Sequence, residues 1–355
     1  MAGTALLTEV IEDPARLMAL RDAWMSLQAD APVNPFLTWD WQTMWWEVFG
    51  AGYALRSLAV WDGGRLRGLW PLYVDPAAPD QLRVIGGLDL SDHLGFLAAT
   101  EWAPAVAAAG LGWLAAGAVG GDGTSLSNPV LDLHFVPEDG AVATAIQEAG
   151  PRLQCQVVAE AEAVSPWVPL AADFEEWVQT RLSKKDRHEL RRKRRRLDAE
   201  HPGWRVRDCS RDGWEPALER FFELHRLSTP GKAAFWTADI ERFFRLVGAR
   251  FAAAGWLRLH LLETGDGAVA ATLGFTLGGG WLLYNSGYDP AAARWSVGLL
   301  CVAEGIRMAI AEGCDRADFL RGDEPYKYDL GARDRTLVHL RVSRSTPTPA
   351  DERGA

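Results

Sequence analysis

The chain has 355 residues, 48% of them apolar and 24% charged, with a formal net charge of −10 at pH 7. That balance excludes a disordered chain and describes a folded protein long enough for two domains. The acidic total weighs against general nucleic-acid binding. Cys155, Cys209, Cys301 and Cys314 have no metal-ligand spacing and read as reduced thiols. No metal is therefore expected. No apolar core with a basic leader opens the chain and no run of 18 apolar residues occurs, so a cytoplasmic protein without a membrane span is expected.

In chain order, Leu6–Val10 reads as a strand and Pro14–Leu27 as a helix, with Pro14 suited to its first turn. Phe36, Trp39, Trp41, Trp45 and Trp46 fit a helix packed against a sheet, and most of the seventeen Trp read as core. Leu55–Trp61, a turn at Asp62-Gly63-Gly64 and Arg65–Val74 predict a β-hairpin. Leu82–Ile85 is a further strand. Ser91, Asp92 and His93 stand together before the apolar Leu94–Leu97, at the predicted start of a strand. Asp92 and His93 are either a hydrogen-bonded structural pair or a substrate-binding pair, since an imidazole titrates near neutrality. Ala103–Gly117 predicts a packed helix, and Leu153–Ala159 a strand closing this half.

Phe174–Leu182 begins a helical region that runs into the most polarised segment of the chain. From Arg181 to Arg196 there are ten Lys or Arg against Asp186 and Glu189, a formal +8, which leaves −18 for the remainder. Leu182, Leu190 and Leu197 give such a helix little apolar surface, so its basic face is solvated or meets an anion. Arg191 and Arg195, four residues apart, share one face and are candidate anion-binding residues. Nucleic acid ranks below a small anionic ligand, because Trp204 alone does not make an aromatic stacking set.

Trp214–Ser228 and Ala238–Ala254 predict helices. A meander follows: Leu257, Leu259 and Leu261 alternate with Arg258 and His260, a turn follows at 263–267, and Val269 to Leu277 keeps period 2. Trp281–Tyr284 is the next strand. After an irregular loop, Leu299, Val302, Ala303, Ile306 and Ile310 recur at helical spacing. Ala317–Leu320 is a short strand ending in the polar run Arg321-Gly-Asp-Glu-Pro-Tyr-Lys327. Strand, loop, helix and strand in this order make an α/β unit whose loops meet at one sheet edge, where ligands gather. The turn-and-strand pattern of 59–74 returns loosely at 260–277, as in a duplicated domain.

Three segments carry a family resemblance: SKKDRHELRRKRRRL (Ser183–Leu197), YNSGYDPAAARWSVG (Tyr284–Gly298) and FLRGDEPYKYDLG (Phe319–Gly331). With them the chain resembles the GNAT superfamily, in particular its two-domain branch of CelD/BcsL-like acyltransferases, and more distantly the Fem peptidoglycan aminoacyltransferases. The resemblance implies an α/β fold of two tandem GNAT-like domains, each a mixed twisted sheet flanked by helices. The expected domains are 1–160 and 161–345, with 346–355 a flexible tail. It also implies an acyl-CoA donor, acetyl-CoA or a longer homologue, whose pyrophosphate meets the helix N-terminus at Ser296, Val297 and Gly298, with Arg294 beside it. Family members commonly have Pro where this chain has Val297, and the longer phosphate loop of single-domain GNATs is absent.

Carried over to the polar run, the resemblance implies Glu324 as the leading catalytic candidate, with Asp318 and Tyr326. Arg321, Asp323 and Lys327 are implied in substrate binding. A carboxylate takes the amine's proton and a phenol positions the leaving thiol or acyl oxygen, while Arg or Lys orients an anionic group. The other reading of these charges is a set of ion pairs at a strand end. The implied activity is N-acyl transfer to an amine-bearing small molecule such as an amino sugar or amino acid, in polysaccharide or envelope metabolism. Polysaccharide-biosynthesis proteins are the expected partners. A tRNA-dependent Fem-like aminoacyltransferase and a non-catalytic scaffold are the alternatives.

Overall fold

A computed structural model describes residues 6–32 and 34–345; the expected tail lies outside the described residues. Two compact α/β units make up the chain. The first comprises the described residues up to 46 with 50–162 and 336–345, and the second comprises 47–49 with 163–335.

In the first unit an antiparallel sheet runs in the order Leu7–Ile11, Ser57–Asp62, Arg65–Trp70, Leu97–Ala98. The predicted hairpin is its centre, with Leu58 opposite Trp70. A second, six-stranded sheet runs Ala54–Leu55, Leu72–Asp75, Ala78–Val84, Val130–Pro137, Thr336–Arg344, Cys155–Val164. Trp24, Trp41 and Trp70 are fully buried in this unit, as expected of core tryptophans. The predicted Pro14–Leu27 helix is two helices, Pro14–Ala19 and Arg21–Asp30, meeting at Leu20.

Two differences from the sequence reading matter. The expected strand beginning at Ser91 is a loop: His93 takes a left-handed φ of 52°, outside the extended range of regular strands, and only Leu97–Ala98 pairs as a strand. The expected second domain runs to residue 345, whereas Thr336–Arg344 inserts between Val130–Pro137 and Cys155–Val164 in the first unit's sheet. Its inward side chains Leu337, Val338, Leu340 and Val342 are buried there. Which strands a β-strand pairs with depends on segments far apart in the chain, and local sequence does not say which those are.

The second unit holds one six-stranded sheet in the order Trp167–Pro169, Arg316–Asp318, Gly280–Tyr288, Gly267–Leu277, Leu257–Thr264, Arg205–Asp208. All neighbours are antiparallel except Gly280–Tyr288 beside Arg316–Asp318. The Val297–Ala311 helix lays Val297, Leu300, Cys301, Ile306 and Ile310 into a core shared with Trp177, Trp281 and Leu283. The basic helix spans Lys184–Glu200. Ser183 caps it, its Oγ accepting from the Asp186 amide at 3.2 Å, and Leu190 and Leu197 anchor it in the same core. Arg194 reaches Glu304 of the Val297–Ala311 helix at 2.5 Å, and most other charges of the basic helix point to solvent.

Candidate active site

Strand Gly280–Tyr288 and strand Arg316–Asp318 pair in parallel over three residues only, ending at Leu282 opposite Asp318. Beyond that point they part. Tyr284 is the extra residue of a bulge, since Leu273 faces Asn285 while Gly274 faces Leu283, and bulges bend a strand. The shorter strand ends because Leu320 adopts a φ of 55°. Into the gap opens a cavity of about 380 Å3, lined by Lys232, Asn285, Ser286, Tyr288, Ser296, Val297, Gly298, Leu299, Glu324 and Tyr326. A second, smaller cavity of about 210 Å3 shares Leu299 with it and is bordered by Lys185 and Lys193 of the basic helix together with the carboxylates of Asp186, Glu189 and Asp329.

One wall is the start of the Val297–Ala311 helix. Ser296, at the left-handed φ of 56°, turns the chain into the helix, and its carbonyl accepts the first helical hydrogen bond, from Leu300. No side chain caps this end. The amides of the first turn thus meet the cavity with the positive end of the helix dipole, an arrangement that suits phosphate.

The facing wall is the loop 319–324. Lys327 is 2% exposed, and its ammonium donates to the carbonyls of Leu320, Arg321 and Gly322 at 3.2, 3.0 and 2.9 Å and pairs with Glu324 at 2.8 Å. One buried cation thereby gathers three carbonyls and one carboxylate of the loop around itself. Gly322, at φ 112°, completes it: a Cβ there would lie 2.6 Å from the Glu324 carboxylate. Burial works to raise the Glu324 pKa, but the Lys327 hydrogen bond and charge, with Lys232 further off, bring it below the usual carboxylate range. Glu324 is an anion at neutral pH. Burial raises the Tyr326 pKa as well, here reinforced by the Glu324 charge, and keeps its phenol protonated.

Lys232 completes the constellation and has no signal in the sequence reading. It sits on the short Pro230–Phe235 helix and donates to the Ser286 carbonyl at 2.5 Å across the cavity. Burial lowers its pKa, and the Glu324 carboxylate opposes that. The nearby His225 is held neutral: burial, then the Lys232 charge, push its pKa down to about 4, and Trp236 Nε1 donates to its Nδ1 at 2.9 Å. Gly287 lets the strand approach the Trp214–Ser228 helix, since a Cβ would lie 2.4 Å from the His225 backbone nitrogen.

The structure brings together Ser296, Val297, Gly298, Glu324 and Tyr326 of the expected site. Arg294 does not line the cavity; its guanidinium lies over Trp295 and 3.9 Å from Glu200. Asp318 is 4% exposed, its oxygens taken by Ser165, the Leu320 amide and Arg335, so it holds the strand end. Lys327 builds the loop from within. Asp323 is exposed, and Arg321 is half-buried beside the same turn. Arg191 lies 3.7 Å from Glu175 and shares an outward face with Arg195, while Lys185 and Lys193 border the smaller cavity from the opposite face. Asp92 and His93 belong to the first unit, where the His93 carbonyl accepts from Asn34.

A pH prediction follows from the buried histidines of this unit. Burial pushes His225 and His260 each down to about 4 from an ordinary 6.5. A depressed histidine pKa means the unfolded chain takes up protons first. The stabilisation is therefore complete above pH 6.5 and is lost as pH falls towards 4, by roughly 3 kcal/mol for each group. Equilibrium unfolding from pH 7.5 to 4, followed by hydrogen exchange in strand Leu257–Thr264, checks this; protection that stays flat through the window would refute it.

Residues 184–328 match the family model of the Acetyltransferase (GNAT) domain, which contains the whole cavity. The chain is thus an acyltransferase enzyme with a GNAT-type domain at its site. Among curated proteins, no sequence matches this chain. Its fold is similar to that of FemX, at a TM-score of 0.65 and 12% identity over 95% of this chain and 96% of that one. A conserved protein of unknown function from Bacteroides thetaiotaomicron is similar at 0.56 and 11%, covering 95% and 99% of the two chains. L-PGS from Bacillus licheniformis is similar at 0.53 and 11%, covering 98% and 95%. These likenesses run through both units, and the architecture is that of two tandem GNAT-like domains, the second built on one mixed sheet and the first on a mixed sheet with a smaller antiparallel one, both with helices. Among the described residues no helix is long and apolar enough to cross a membrane.

Proposed function

We propose that this chain transfers an acyl group from acyl-CoA to the amine of a small molecule, in the manner of the two-domain CelD/BcsL-like branch. The observation that carries this reading is the uncapped N-terminus of Val297–Ala311 opening into the same cavity as Glu324, Tyr326 and Lys232. The amides of Val297, Gly298 and Leu299 receive the donor's pyrophosphate, and Lys185 and Lys193 beside Leu299 receive its outer phosphate. The thioester then lies along the bulged strand at Asn285 and Ser286.

In this reading the acceptor amine attacks the thioester carbon, a C–N bond forms and the C–S bond breaks. Glu324, anionic at neutral pH, takes the proton that the nitrogen loses, directly or through water. The protonated phenol of Tyr326 donates to the departing thiolate. No covalent enzyme intermediate is involved, consistent with Cys301 being buried with its pKa raised by burial to about 12. The acceptor is an amino sugar, amino acid or related metabolite of envelope or polysaccharide synthesis, with proteins of that synthesis as partners.

A second reading is favoured by the FemX-like fold together with the basic helix Lys184–Glu200: an aminoacyl donor carried on tRNA, its backbone along that helix. Thermal shift with acetyl-CoA, longer acyl-CoAs, free CoA and charged tRNA separates the two. Stabilisation by a CoA species, weakened about tenfold in affinity by Lys185→Glu with Lys193→Glu and little by Arg191→Glu with Arg195→Glu, is the expected result. Stabilisation by charged tRNA alone, steeply salt-dependent, would move the assignment to the second reading. Binding of neither donor would leave a scaffold role.

A further inference from the structure

Away from the cavity, in the first unit, three side chains able to ligate a metal converge on one face of the six-stranded sheet. Asp132 and His134 are two residues apart on strand Val130–Pro137 and so share a face. His339, on the neighbouring strand Thr336–Arg344, lies opposite them. One ligand atom from each lies within 4.8 Å of the others. The His339 Nε2 is 2.7 Å from one oxygen of Asp132, and the His134 Nε2 is 3.5 Å from the other. The two imidazoles stack at 3.9 Å with their planes 12° apart.

The local backbone is shaped for this meeting. The ladder between the strands slips by one residue between Val338 and Leu340, so that His134 and Phe135 together face His339. Phe135 adopts a φ of 54°, a left-handed conformation that costs an aromatic residue of order 1–3 kcal/mol. Its freed amide donates to one oxygen of Glu162, 2.9 Å away, while the other oxygen of Glu162 binds His134 Nδ1 at 2.5 Å. Glu162 thereby holds the Nδ1 side of the His134 ring and leaves Nε2 facing Asp132. A carboxylate holding Nδ1 while Nε2 points at a shared centre is the arrangement that orients metal-binding histidines. Arg83, 3.3 Å from Asp132, divides its charge with Asp75 at 3.7 Å, and Arg341 stands opposite Asp132 in the register.

We propose that His134, His339 and Asp132 bind a first-row divalent cation, Zn2+ in particular, with Glu162 orienting His134. Two imidazoles and a carboxylate suit zinc and its neighbours and suit magnesium poorly. Ligands at ordinary zinc distances stand about 3.3 Å apart, so a tilt of the stacked rings and a rotation of Asp132 close the site. The side chains are 16%, 21% and 9% exposed for His134, His339 and Asp132, which leaves an entry path and a fourth position for water. The ion would clasp the chain's last strand to residues 207 positions earlier in sequence. This inference stands apart from the acyl-transfer reading, as no cavity residue takes part.

The test uses the full chain stripped with chelator and titrated with Zn2+, Co2+ or Mg2+. One equivalent of Zn2+ should bind, Co2+ should give visible ligand-field bands at the same stoichiometry, and Mg2+ should not compete. His134→Gln and His339→Gln should each abolish binding, and Glu162→Gln should weaken it about 10–100-fold. Imidazole 15N signals of the wild-type chain give a readout independent of whether the variants fold: Zn2+ should shift Nε2 of two histidines. No stoichiometric uptake by the wild type, uptake unchanged in folded histidine variants, equal affinity for Mg2+, or Zn2+ that moves no imidazole signal would each overturn the site.

Discussion

Replacing Glu324 with Gln is expected to lower turnover by about 10²–10³-fold while changing donor affinity by no more than about threefold. The substitution keeps the side chain's size and removes its charge and most of its basicity. Glu324 is the carboxylate of the cavity wall, and the fold lines that wall without requiring this residue for its core. Because its pKa lies below the ordinary 4.5, the basic form persists down to that pH, and the acidic limb of the wild-type rate profile should fall at or below it. Asp318→Asn is the comparison. Its oxygens hold Ser165, the Leu320 amide and Arg335, so its loss should appear first in stability. Turnover near normal in the Glu324 variant would end its catalytic assignment, and parallel losses of turnover and folded population would make it a structural ion-pair member.

Lys327→Met is expected to behave in the opposite way, with stability falling first. The variant keeps the stem's volume but strips three carbonyls and a carboxylate of their shared donor. The loss is about 3 kcal/mol, equivalent to about 6–12 °C in melting temperature for a unit of this size. Turnover should fall as well, because the loop that carries Glu324 and Tyr326 loses its centre. Calorimetry on the wild type, Lys327→Met and Glu324→Gln separates the clamp from the chemistry. A change below about 2 °C in the lysine variant would show that the loop holds its shape without it.

Periodicity and turn chemistry are local properties, and where they are strong the sequence by itself determined the element. Trp214–Ser228 matches its predicted bounds, the basic helix starts at its Ser183 cap, and the Asp62-Gly63-Gly64 turn makes the predicted hairpin. The loop that ends in the uncapped helix, and the polar run containing Glu324 and Tyr326, were also legible, because motif and cavity coincide within two short segments. Lys327 was legible as a charge but not as a buried one, since only the folded turn aims three carbonyls at its ammonium. Lys232 was invisible for a different reason: it reaches the cavity from 54 residues before Ser286, and nothing near it in the chain marks the approach. Strands Val130–Pro137 and Thr336–Arg344 alternate with period 2, Leu131 and Leu133 against Asp132 and His134, and Val338, Leu340 and Val342 against His339 and Arg341; that they pair with each other is the long-range contact that short-range pattern does not encode. The same pairing, with its one-residue slip at Phe135, unites Asp132, His134 and His339. The sequence determined which residues could do chemistry; tertiary structure decided which of them meet, because hydrogen-bonded register and burial act between segments far apart in the chain.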